Sequence, residues 1–153
     1  MTIGIISDTH GLLRPEAMEQ LQGVDHILHA GDVGKTAVLY ELYAIAPVTA
    51  IKGNVDTSPI WNNVLRQTEA IELGGFWFYM VHSIQDLDID PVEAGMHFVI
   101  FGHSHQPEQY VKDGVYYLNP GAAGHRRFSL PVTIAKVKLG QNNPVIEIVP
   151  LLS

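Results

Sequence analysis

The stretch Thr2-Ile3-Gly4-Ile5-Ile6-Ser7-Asp8-Thr9-His10-Gly11 decides the architecture. Its first five residues form a short apolar run rich in β-branched side chains, continuous rather than alternating. That pattern predicts a strand buried on both faces, as in a parallel sheet covered on each side. The run stops at polar residues, and Asp8 and His10, two apart, point the same way wherever the chain stays extended. The motif then recurs. Pro15 to Leu21 reads as a helix, and Val24 to His29 as a second strand closing on Ala30-Gly31-Asp32. Thr36 to Tyr43 carries Val38, Leu39 and Leu42 at helical spacing before Pro47, and a third strand, Val48 to Ile51, runs into Gly53-Asn54-Val55-Asp56. This is a βαβαβ unit. Its crossovers are right-handed, and its binding crevice lies outside the carboxyl ends of the strands, where the polar residues fall.

Beyond the loop with Pro59 and Trp61, Ala70 to Leu73 and Phe76 to Val81 flank Gly74-Gly75, a strong hairpin signal that ends at His82-Ser83. Phe98 to Phe101 is a short buried strand closing on Gly102-His103-Ser104-His105. Gly114 to Leu118, Val132 to Leu139 and Val145 to Val149 give an antiparallel C-terminal third. Six or more strands with two to four helices predict an α/β (α+β) fold of two packed sheets with helices outside. With no linker, repeat or low-complexity tract, residues 1–153 are read as one domain.

Composition narrows the function. The 153 residues are 46% hydrophobic and only 16% charged, which excludes intrinsic disorder. Sixteen acidic against nine basic residues give a net charge of -7, the wrong sign for a general nucleic-acid or anionic-lipid surface. The absence of cysteine removes disulfides, thiolate metal sites, iron–sulfur clusters and cysteine nucleophiles. No stretch approaches the ~18 apolar residues of a membrane span, and the first residues lack a basic leader, so a cytoplasmic location is the expectation. The apolar composition also points to a homodimer or higher homo-oligomer.

Eight histidines is a high count, and half of them fall in the pattern Asp8-Thr9-His10, Gly31-Asp32, Gly53-Asn54, His82 and Gly102-His103-Ser104-His105. Imidazole, carboxylate and a carboxamide oxygen suit borderline divalent ions of the manganese, iron, nickel or zinc kind. Seven donors are too many for one tetrahedral zinc. Two ions about 3.5–4 Å apart with a shared carboxylate would use them all and clamp the oxygens of a phosphoryl centre, with Asp32 the natural bridge.

In order and spacing, Asp8-x-His10, Gly31-Asp32, Gly53-Asn54-x-Asp56, His82 and Gly102-His103-x-His105 resemble the calcineurin-like metallophosphoesterase superfamily. The small size and Leu118-Asn119-Pro120-Gly121 resemble its compact bacterial and archaeal phosphodiesterase group. The resemblance implies a four-layer αββα sandwich. It places Asp8, His10 and His105 on one ion and Asn54, His82 and His103 on the other, with Asp32 on both and a bridging water or hydroxide as nucleophile. Asp32, Asn54, His82 and His103 are the catalytic candidates, and Mn²⁺ is the expected activating ion, with Fe, Zn and Ni as the other candidates. Two positions depart from the family pattern. Valine at 55 replaces a histidine that contacts phosphate and helps protonate the leaving group, and Ser83 follows His82 where glycine is usual. Asp56 is read as orienting a histidine, with His10 the candidate partner.

Other motifs read as decoys. Gly31-Asp-Val-Gly34-Lys35-Thr36 lacks the first glycine of a phosphate-binding loop, and Asp86-x-Asp88-x-Asp90 breaks the calcium-loop pattern at Pro91 and His97. Asp90-Pro91 instead reads as a helix start. His26, His29 and His97 are structural. Arg126 and Arg127 suit either phosphate or solvent, and Asn119 either the floor of the site or a plain turn. The expected function is a metal-dependent phosphodiesterase acting on a small phosphoester. A phosphomonoesterase and a non-catalytic protein-binding scaffold are the alternatives, the latter disfavoured because all seven ligand positions are filled.

Overall fold

The three apolar runs that end in candidate ligands lie side by side. In the computed structural model, which describes residues 1–152, strands β1 (Thr2–Ile6), β2 (His26–His29) and β3 (Val48–Ala50) pair in parallel. Ile6 stands opposite His29, and His29 opposite Ala50, so all three strands stop at one level. Helices α1 (Pro15–Gln20) and α2 (Thr36–Tyr43) make the crossovers.

A second sheet repeats the device. β4 (Thr68–Leu73) and β5 (Phe76–Val81) form the expected hairpin, with Gly74 and Gly75 both at positive φ (58° and 85°), as a two-residue type I′ turn requires. β5 is parallel to β6 (Phe98–Ile100), and β6 to β8 (Val115–Asn119); Met80, Ile100 and Leu118 mark the common level of their ends. Strand β7 (Glu108–Lys112) adds antiparallel to β8 at the edge. The first sheet is completed by β9 (Thr133–Lys138) and β10 (Val145–Pro150), giving the orders β10-β9-β1-β2-β3 and β4-β5-β6-β8-β7.

The sheets pack face to face through Ile3, Ile5, Leu28, Phe78, Met80, Phe98, Ile100 and Val137, all fully buried. Alternate residues of the same strands, Ile6 and Ile27, face the helices with Leu21, Val38 and Leu42. Both faces of β1 and β2 are therefore dry, the condition the continuous apolar runs signalled. On the far side of the second sheet, Tyr79, Val81, Val99 and Phe101 are covered by Ile84, Leu87, Ile89 and Met96.

That fourth layer is thinner than expected. The 3-10 helix Ile84–Asp86 and a turn after Asp90 form it, and no α-helix starts at Asp90-Pro91. The capping chemistry is present, because the Asp90 carboxylate accepts from Val92 N and Glu93 N, and Met96 N reaches Pro91 O. Gly95, at φ 75°, turns the chain away before a helix propagates. Among the described residues no helix is long and apolar enough to cross a membrane.

Candidate metal centre

Because the strands of both sheets end at common levels, the loops beyond them meet at one edge of the sandwich. Asp8, His10, Asp32, His103 and His105 all adopt left-handed backbone, at φ 54°, 47°, 56°, 74° and 64°. Only two other non-glycine residues among those described do so, Asp113 and Phe128. Left-handed backbone is uncommon away from glycine and costs free energy, so its concentration on these residues marks a site the fold holds under strain.

The two aspartates are used alike. Asp8 Oδ2 accepts from Ser7 Oγ (2.6 Å) and His103 N (3.1 Å), which leaves Oδ1 without a hydrogen-bond partner. Asp32 Oδ1 accepts from Val55 N (2.9 Å), while Oδ2 faces His82 Nε2 at 3.2 Å and His10 Nε2 at 3.5 Å. Asp8 Oδ1 stands 3.4 Å from His105 Nε2, 3.7 Å from His82 Nε2 and 3.8 Å from His10 Nε2. Each carboxylate thus has one oxygen pinned by the protein and one turned toward imidazoles.

His82 Nδ1 donates to Ala30 O at 2.7 Å, so Nε2 carries the lone pair that faces the aspartates. Asp8 Oδ1, His10 Nε2 and His82 Nε2 are buried without hydrogen-bond partners, an expensive arrangement for polar atoms unless something else satisfies them. Donor atoms of Asp8, His10 and His105 lie within 4.8 Å of one another, as do those of Asp8, Asp32 and His82. Lone pairs converging from two carboxylates and three imidazoles fit a divalent cation.

Burial alone would raise the Asp8 pKa, but contacts with His10 and His105, the charge of His82 and the Ser7 hydroxyl hold the carboxyl far below its ordinary range. Burial likewise works against the charged form of Asp32, and His82 with the Val55 amide outweighs it, so its pKa is lowered. The His10 pKa is raised by Asp8 first and by Asp32, against burial and the Arg127 charge. For His82, burial is outweighed by Asp32, Asp8 and the Ala30 carbonyl, and its pKa is raised.

The remaining candidates lie around this cluster. The His103 ring is 5.3 Å from that of His82, centroid to centroid, and Asn54 lines the same cleft as His82. His103 belongs to neither of the two tight groups of histidine and carboxylate donors. The glycines of the motifs serve close approach: a Cβ on Gly53 would collide with Asp32 N and Oδ1, and one on Gly102 with Ser7 Oγ and Asp8 Oδ2. Ser83 sits at φ -112°, where glycine is not required.

Asp56 differs from expectation. Its buried carboxylate accepts from Val33 N (3.0 Å), Gly34 N (2.9 Å) and Gly53 N (2.9 Å), so it ties the Asp32 loop to the Asn54 loop instead of orienting His10. The spacing of the sequence carries no signal for this role. Asn119 holds the other loop, donating from Nδ2 to Gly102 O and Ser104 Oγ (both 3.1 Å). His29 is wholly buried. It accepts from Gly31 N through Nδ1 and donates through Nε2 to Thr9 Oγ1, and burial pushes its pKa down to about 4.

The profile of the calcineurin-like phosphoesterase superfamily domain matches residues 1–142. The chain belongs to that superfamily. It is 33% identical over 143 residues to a probable metallophosphoesterase of Methanothermobacter thermautotrophicus, covering 86% of this chain and 82% of the relative. It is 27% identical over 139 residues to a phosphodiesterase of Methanocaldococcus jannaschii, covering 79% of this chain and 83% of that one. The crystal structure of Vps29 from Entamoeba histolytica complexed with Zn²⁺ has the same fold, with a TM-score of 0.76 and 18% identity over 99% of this chain and all of the other. As a calcineurin-like phosphoesterase, the chain places its family motif residues on loops at the ends of β1, β2, β3, β5 and β6.

Proposed function

We propose that this protein is a phosphodiesterase acting on a small phosphoester with two divalent transition-metal ions per chain. The observation that carries the reading is the convergence of buried, unpartnered lone-pair atoms on Asp8, His10 and His82. Asp8, His10 and His105 would hold one ion, Asn54, His82 and His103 the other, and Asp32 both; its Oδ2 faces His10 on one side and His82 on the other. When bound, such ions supply Lewis acidity, activating water and neutralising charge on phosphoryl oxygens.

The chain's own contribution is positioning. Ser7, the His103 amide and the Val55 amide fix the aspartates, and Asp56 and Asn119 fix the loops that carry the ligands. Val55 is 48% exposed beside the site and has no proton to give, so the reaction depends on the stability of the leaving anion. Ester preference is supported by the relative named a phosphodiesterase; the valine at 55 bears on how the leaving group departs, not on which ester is cleaved. Exposed Tyr40, Tyr43 and Val64 beside an apolar cleft between α2, β3 and β4 support a homodimer.

The test is hydrolysis of bis(p-nitrophenyl) phosphate and p-nitrophenyl phosphate by Mn²⁺-loaded and chelated protein. Faster metal-dependent cleavage of the diester is expected. Preference for the monoester would make the protein a phosphomonoesterase, and no cleavage of either would favour a scaffold.

A further inference from the structure

A polar cleft of about 490 Å³ opens beside His82 and Asn54, large enough for a small organic group and within the usual range of ligand pockets. Its wall carries Lys52, Asn62, Gln67, Thr68, Asp86 and Asp88. Several of these groups are already committed on one side. Lys52 Nζ donates to Asn62 Oδ1 at 2.6 Å, which leaves the Asn62 amide its two N–H groups and one lone pair to offer. The Tyr79 hydroxyl donates to Asp88 Oδ1 at 2.5 Å, which fixes that carboxylate and leaves Oδ2 to accept. Asp86 and Gln67 are exposed at the same wall.

This wall mixes acceptors with donors. An aryl group would desolvate two carboxylates without replacing their hydrogen bonds, which is costly. An ammonium group would satisfy the carboxylates but meet the Lys52 charge and leave the amide N–H groups unused. Hydroxyl groups both donate and accept, so a short chain or ring that carries them suits the carboxylates and the amides alike.

We propose that this cleft is the subsite for the organic group of the phosphoester, and that it selects a neutral, hydroxyl-bearing group such as glycerol or a sugar. The proposal rests on the phosphoesterase reading of the adjoining centre and adds the substrate class.

The experiment is calorimetric titration of Mn²⁺-loaded protein with glycerol phosphate, propyl phosphate and choline phosphate, which share the phosphate and differ in the group that would enter the cleft. Glycerol phosphate is expected to bind at least about tenfold tighter than propyl phosphate, the scale of one or more hydrogen bonds to charged groups. In a double variant, Asp86→Ala with Gln67→Ala, that ratio should fall toward one, while Asp88 keeps its Tyr79 contact. Equal affinities in the parent protein, an unchanged ratio in the variant, or tightest binding of choline phosphate would each overturn the subsite. Hydrolysis of bis(p-nitrophenyl) phosphate, measured on the same samples, separates the two failures: if it persists while the ratio is one, only the subsite falls.

Discussion

Replacing Asp56 by asparagine should damage the fold before it damages the chemistry. The Asp56 carboxylate takes three backbone N–H groups at 2.9–3.0 Å, two of them on Oδ2 and one on Oδ1. An asparagine oxygen in the place of Oδ2 can keep Val33 N and Gly53 N, but its NH₂ then faces Gly34 N–H, donor against donor. One charge-assisted bond, worth roughly 1.5–3 kcal/mol, is lost, and two others drop toward the neutral value of about 1 kcal/mol each. Part of this is offset because a buried charge no longer has to be desolvated. The net cost is about 3 kcal/mol, or a fall of roughly 6–12 °C in Tm for a chain of this size. The assay is thermal unfolding of the metal-free protein, followed by Mn²⁺ titration, where the loosened Asp32 and Asn54 loops should weaken affinity about 10–100-fold. A metal-free Tm within about 2 °C of the parent would refute the reasoning. It would return Asp56 to a role on a ligand histidine, which affects metal binding alone.

Three further outcomes follow from the same geometry. Asp32→Asn keeps the shape but removes the charge facing both His10 and His82; turnover should fall at least about 10²-fold with the fold intact, and unchanged turnover of metal-replete protein would reject the shared-ligand role. His29 has a folded pKa near 4 against an ordinary 6.5, so between those values the unfolded chain binds the extra proton and stability rises with pH. Urea unfolding of metal-free protein should therefore lose about 3 kcal/mol from pH 6.5 to pH 4 relative to His29→Gln, and parallel pH profiles would contradict this. Val55→His should speed esters with poor leaving groups by up to about 10²–10⁴-fold and leave aryl esters little changed; a flat leaving-group dependence in the parent would mean that another acid acts, with His125 the first to examine.

The strands that carry the site were legible because β1, β2, β5 and β6 are buried over most of their length on both faces, which favours continuous apolar sequence; His29 in β2 is the buried polar exception, its ring nitrogens bonded to Gly31 N and Thr9 Oγ1. The Gly74-Gly75 hairpin was legible from turn chemistry. Strand β7 was not, because Glu108-Gln-Tyr-Val-Lys112 is exposed along its whole length and no buried face imposes alternation. The signal that could have found it is Asp113-Gly114, whose positive φ values of 53° and 80° close the β7-β8 hairpin. The candidate ligands could be read because each follows a strand end. The left-handed backbone of Asp8, His10, Asp32, His103 and His105 could not, since aspartate and histidine announce it far less than glycine does. Asp56 was misread for a similar reason: its three partners are main-chain amides of Val33, Gly34 and Gly53, groups every residue possesses, so no side-chain pattern reveals them.

The central claim is that the cluster around Asp8 and Asp32 exists to hold a pair of cations at which a phosphodiester is cleaved. The direct measurement is metal stoichiometry against activity. Chelated protein is titrated with Mn²⁺, bound metal is counted by elemental analysis at each step, and bis(p-nitrophenyl) phosphate hydrolysis is followed in parallel. Activity should rise only as the count approaches two ions per chain and vanish again on chelation. Full activity at a saturating count of zero or one ion per chain would contradict the account.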